Sequence, residues 1–72
     1  MSYFPELSRY RTDDRVLFLD RERVAVSAHG DNWMVERSPM GDWRAVAASD
    51  NDLTVTRRAV DDTIEALIGK PR

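Results

Sequence analysis

The chain has 72 residues and no cysteine, with 11 Lys and Arg against 13 Asp and Glu for a formal net charge of −2. That length fits one domain, near the size at which a lone core supplies only about 3 to 5 kcal/mol of net stability. The missing thiols exclude disulfides, thiolate metal sites and zinc fingers, and the acidic balance disfavours a main task of holding phosphate backbones.

The N-terminal arm, residues 1–14, mixes charge and aromatics without an apolar stretch, and no run elsewhere approaches a bilayer span. These features predict a cytoplasmic protein with no membrane partner, and the lack of cysteine fits a reducing compartment. Lys70 is the only lysine beside many arginines, and Ala, Val and Asp are plentiful. Such usage points to a GC-rich coding sequence of bacterial or bacteriophage origin. Within the arm, Tyr3, Leu7 and Tyr10 fall at helical spacing and Pro5 suits a first helical turn, giving a short helix or an extended aromatic arm. The ordinary role for such an arm is to fold over the sheet side that the C-terminal helix leaves open.

Residues 15–48 read as an antiparallel β-meander of four strands. Val16, Leu17, Phe18 and Leu19 are consecutive apolar residues, and a strand points neighbours to opposite faces, so this run is apolar on both sides. A first hairpin pairs Val16 to Asp20 with Arg23 to Ala28 around Arg21 and Glu22. A second pairs Trp33 to Arg37 with Trp43 to Ala48, and Gly30, Asp31 and Asn32 link the two. Ser38, Pro39, Met40 and Gly41 suit a type I turn with a left-handed glycine closing a three-residue loop. That turn sets Arg37 opposite Trp43, Glu36 opposite Arg44, Val35 opposite Ala45 and Trp33 opposite Ala47. Carried across both hairpins, the parity gathers Leu17, Leu19, Val24, Val26, Ala28, Trp33, Val35, Ala45 and Ala47 on a core face. Val16, Phe18, Ala25, Ser27, His29, Met34, Glu36, Arg44 and Val46 fall on the other, a mixture suited to contact with a partner.

Residues 49–55 form an acidic loop, and a helix is predicted over 56–69. Thr56 serves as its N-cap, Val55 and Val60 as a hydrophobic staple, and Gly69 with Pro71 as the stop signal. Val60, Ile64, Leu67 and Ile68 recur at helical spacing and form the stripe that covers the core face, where Ala45 and Ala47 allow close approach. The predicted class is therefore α+β, a four-stranded meander with one C-terminal helix on one face and an N-terminal arm or short helix.

Chemistry-bearing residues are few, and each has an ordinary reading. His29, the only histidine, has no nearby group to orient it for acid–base work and reads as a polar residue at a strand end. Asp50, Asp52, Thr54 and Asp61 match calcium-loop positions one, three, five and twelve, but Val55 stands where glycine is required and Asp61 where a bidentate glutamate is required. Arg57 and Arg58 in the first helical turn offer an anion site, although Asp61 and Asp62 can neutralise them. The acids Asp13 and Asp14 read as solvated surface. Trp33 reads as core, and Trp43 either packs under Arg37 or anchors a partner. No catalytic residue, cofactor or metal site is predicted.

The leading expectation is a non-enzymatic protein–protein interaction module, either a homodimer or an adaptor or inhibitor. Its anchors are Phe18, Met34, Trp43 and Val46, with Arg44 at the polar rim beside Glu36. The alternative is DNA binding by Arg21, Arg23, Arg37 and Arg44, since a short sheet followed by a helix over Asn32 to Ile68 is similar in layout to small β-sheet DNA readers such as the arm-binding domains of phage integrases.

Overall fold

The computed structural model describes residues 4–71, so the expectation placed on Tyr3 lies outside the described residues. In chain order the elements are a 3₁₀ helix Pro5–Tyr10, strands β1 Val16–Phe18, β2 Arg23–Ala28, β3 Asp31–Arg37, β4 Trp43–Ala47 and β5 Thr54–Arg57, and helix α1 Val60–Ile68. All strands are antiparallel and lie in one sheet in sequence order, β1-β2-β3-β4-β5. The class is α+β as expected, with a fifth strand in place of the acidic loop's end and the helix's first turn.

That fifth strand follows from residue chemistry. Thr54, Val55 and Thr56 are consecutive β-branched residues, which fit a pleated strand and lose rotamer freedom in a helix. Asp50 accepts a backbone hydrogen bond from Asp52 at 3.0 Å, and the Leu53 N–H donates to the Asp50 carbonyl at 3.0 Å, closing the β4–β5 turn. Thr56 is therefore a strand residue opposite Arg44 and caps nothing. Helix α1 begins at Val60, after an extended Ala59 without a side-chain cap, and Asp61 and Asp62 occupy its first turn, where the helix dipole favours acids. Its end matches expectation, with Gly69 at φ 72°, a conformation that glycine adopts without steric cost.

The remaining turns fix the register. Ser38 and Asp42 close a loop with Gly41 at φ 92°, and all the pairings expected between β3 and β4 occur. Ala28 pairs with Asp31, so His29 and Gly30 form a two-residue hairpin turn with φ of 55° and 73°, the twist that matches antiparallel strands. The first hairpin differs from expectation, because Phe18 rather than Leu19 lies opposite Val24. Asp20 causes the shift: its carboxylate accepts from the Glu22 backbone at 2.8 Å and from Arg23 Nε at 2.8 Å, while the Leu19 and Asp20 N–H groups both point at the Arg23 carbonyl at 3.2 Å. The extra loop residue turns β1 over, since side chains alternate faces with period two.

The helix side of the sheet consequently holds Val16, Val24, Val26, Trp33, Val35, Trp43, Ala45 and Ala47, all buried, with Phe18 and Val55 packed beside them. Val60, Ile64 and Leu67 of α1 close over this face, with Ile68 at its margin. The 3₁₀ helix lies on the same side, against α1. Leu7 and Tyr10 are fully buried there, and the Phe4 ring meets Trp43 edge-on with centroids 5.4 Å apart and stacks near Phe18 at 6.4 Å. The arm thus completes the core beside the helix instead of covering the second side of the sheet.

Ile64→Ala and Leu7→Ala are each expected to cost about 2–5 kcal/mol, measured by urea unfolding followed through tryptophan fluorescence. A Leu7→Ala protein as stable as the native one would remove the arm from the core.

Candidate interaction face on the open side of the sheet

The register arranges the uncovered side into rows that run across the strands. The central row is Leu17, Ala25, Met34, Val46 and Thr54, one residue from each strand. Next to it lies a charged row, Arg23, Glu36 and Arg44, ending in Thr56. On the other flank are Ser27, Asn32 and Ala48, the last placed by its N–H bond to the Asn32 carbonyl at 2.7 Å. Met34 sits at the middle, on the third of the five strands and the fourth of the seven residues of β3.

From Leu17 to Val46 the row is apolar and incompletely covered. Leu17 is 62% exposed and Leu19, just beyond β1, 41% exposed; Ala25, Met34 and Val46 are partly exposed. A shallow groove of about 330 Å³ runs here, lined by Ala25, Asn32, Met34, Glu36, Val46 and Asn51 among others. Asn51 brings the β4–β5 turn to its rim, so Asp50 and Asp52 flank the end of the face opposite Arg44. Neither Arg44 nor these two acids has an ion pair among the described residues. Arg23, by contrast, is held by Asp20, with Nη2 and Oδ2 2.6 Å apart.

Of the five side chains expected to anchor a partner, Met34, Arg44 and Val46 share this face. Phe18 and Trp43 do not. Phe18 is carried to the helix side by the Asp20 loop, where the Arg11 guanidinium lies 5.4 Å from its ring centroid. Trp43 is 5% exposed beneath Phe4 and Arg37, whose guanidinium stands 5.2 Å from the indole. Leu17 and Leu19, expected in the core, take their place on the open side. The signal that identifies them is the Asp20–Arg23 spacing, which favours a local carboxylate turn over a tight two-residue loop.

The other singled-out residues do not converge. His29 tops the β2–β3 turn and lines an open cleft of about 640 Å³ with Arg15, Ser27 and Gly69. Asp50 and Asp52 belong to a turn, Thr54 to β5 and Asp61 to α1, so the calcium-loop spacing spans a strand. Among the described residues no group of three His, Asp or Glu side chains is placed to hold a metal ion. Arg57 ends β5, its Nη1 donating to the Thr56 carbonyl at 2.9 Å, and Arg58 lies in the linker before α1; neither stands in a helical first turn. Asp13 is a structural residue, 4% exposed and bonded to Arg15 at 2.9 and 2.6 Å. No helix among the described residues is long and apolar enough to cross a membrane.

Compared with known protein families, curated proteins and solved structures, the chain finds no match.

Two carboxylates in the turns are lowered by their hydrogen bonds. The Ser49 hydroxyl, which bonds Asp31, is the largest influence holding that carboxyl below the usual aspartate range, aided by the Asn32 N–H at 2.8 Å. Asp20 is lowered first by the Glu22 backbone bond and then by Arg23. A depressed folded value stabilises the fold fully above the ordinary carboxylate range, about pH 4, and this contribution disappears as pH falls through the lower folded value. Asp20→Asn combined with Asp31→Asn is therefore expected to lose less melting temperature than the native chain between pH 5 and pH 2.5. Equal losses would contradict the assignment.

Proposed function

We propose that this protein is a non-enzymatic protein–protein interaction module whose binding surface is the sheet face opposite α1. One observation carries the reading: an apolar row of Leu17, Ala25, Met34 and Val46 crosses four of the five strands, and Phe4, Leu7 and Tyr10 are committed to the other side. Taking the exposed part of Leu17, 62% of the residue, out of water contributes at most roughly 1.5–3 kcal/mol, and Met34, already partly buried, contributes less. The face also has the anatomy of an interface, with an apolar centre and arginine at the rim. Met34 and Val46 are the central anchors, Leu17 extends them toward β1, and Arg44 supplies a directional charge.

The DNA alternative needs Arg21, Arg23, Arg37 and Arg44 on one surface. Arg37 lies over Trp43 on the helix side, Arg23 is paired with Asp20, and Glu36 stands between Arg23 and Arg44. A carboxylate in the middle of the row repels phosphate, so the arrangement favours a protein partner.

Benzoylphenylalanine placed at position 34 or 46 is expected to give covalent protein adducts on irradiation of the native cells. The same label at position 65, on the exposed side of α1, is expected to give none. Absence of adducts at both 34 and 46 would overturn the proposal.

A further inference from the structure

We infer that the occupant of the open face is a second copy of this chain, packed face to face about a two-fold axis that runs along the row Leu17, Ala25, Met34 and Val46. The inference rests on the reading of that face as a binding surface and adds the partner and its orientation.

The size of the face sets the strength. The five strands hold 3, 6, 7, 5 and 4 residues, which at about 3.4 Å per residue and about 4.8 Å between strands give the open face roughly 400 Å² of projected area, below the roughly 800 Å² per partner of a standard interface. A self-association in the upper micromolar range is the scale expected for a face of this size with few aromatic anchors.

The pattern of the rows selects the axis. Two sheets stacked by a two-fold rotation need the axis in the plane between them, and there are two natural choices. An axis along β3 would set Glu36 against Glu36 and Arg23 against Arg44, placing like charges opposite each other. An axis along the apolar row sets Met34 on Met34, Ala25 on Ala25 and Val46 on Val46, and lays each charged row over the partner's Ser27, Asn32 and Ala48. The same rotation carries the β4–β5 turn, with Asp50 and Asp52, to the end of β4 that bears Arg44. The charges that lack an ion pair among the described residues thereby meet between two copies. Sheets packed in this way cross at about −30°, which displaces the row by only a few ångströms from the axis near Met34.

The test uses the full chain. Sedimentation equilibrium from about 1 μM to 1 mM is expected to show a monomer–dimer transition. Met34→Arg is expected to shift its midpoint at least roughly thirtyfold, while far-ultraviolet circular dichroism stays native. Arg44→Asp is expected to weaken the dimer about tenfold, and adding Asp50→Arg and Asp52→Arg is expected to restore it. Since the chain has no cysteine, single cysteines report the axis. Facing Cα atoms about 10 Å apart are too distant for a disulfide, so a short bismaleimide is the probe. Val46→Cys and Ala25→Cys are expected to crosslink to their own copies, and Glu36→Cys is not. A monomer at every concentration overturns the inference, as does crosslinking at position 36 without crosslinking at 46. If benzoylphenylalanine at position 34 or 46 then still captures a different protein in the native cells, the binding face survives and only the second copy is lost; if neither position captures anything, both readings fail.

Discussion

The fold depends on how the N-terminal segment is tied to the end of α1. The Tyr10 hydroxyl donates to the Gly69 carbonyl at 2.8 Å, and burial pushes the Tyr10 phenol above its ordinary value, which keeps the donor proton in place. Arg15, gripped by Asp13, brings its guanidinium to 3.4 Å from the Ile68 carbonyl and 3.5 Å from that of Lys70. These carbonyls belong to the helix end, where α1 has no basic residue in its last turn. A cation and a hydroxyl from 50 to 60 residues away supply what the helix lacks locally. The outer bond between Arg9 and Glu65 at 3.0 Å is exposed and adds little.

This tie determines what is left uncovered. With Tyr10 and Arg15 fixed to the helix terminus, Phe4, Leu7 and Tyr10 enlarge the core on the helix side. Ala45 and Ala47 in β4 are fully buried under this layer, and their small side chains give the helix and arm room. The second side of the sheet therefore has no covering segment among the described residues, and its apolar row belongs to the surface.

The second hairpin was legible because Pro39 and Gly41 dictate one turn, and a turn dictates every pairing beyond it. The stripe Val60, Ile64 and Leu67 and the glycine stop at Gly69 were legible for the same reason: spacing and stereochemistry act locally. β1 lies one residue away from the expected register because that register rests on Asp20, a side chain whose hydrogen bonds compete with the tight turn that Arg21 and Glu22 suggest. That single slip exchanged Phe18 for Leu17 on the open face. β5 was read as a loop and cap because Thr serves both as N-cap and as strand former; the neighbouring Val55, packed against the core, decides for the strand. The expected side for the arm, the face the helix leaves open, is the wrong one, because the side is set by Asp13 and Arg15 acting on a helix end more than fifty residues away.

The same geometry favours the face over an edge for the proposed recognition. Edge strands invite addition of another strand, but β1 has three residues and β5 four, so each offers only a short ladder of backbone groups. β5 also leads directly into α1, whose turns stand beside that edge. The face, in contrast, presents a row that crosses all five strands and is held rigid by the pairing of every one of them. Binding there orders no new backbone, so little conformational entropy opposes it. Among the described residues, apolarity and rigidity coincide on this face, and Phe4, Leu7 and Tyr10 are tied to the opposite side.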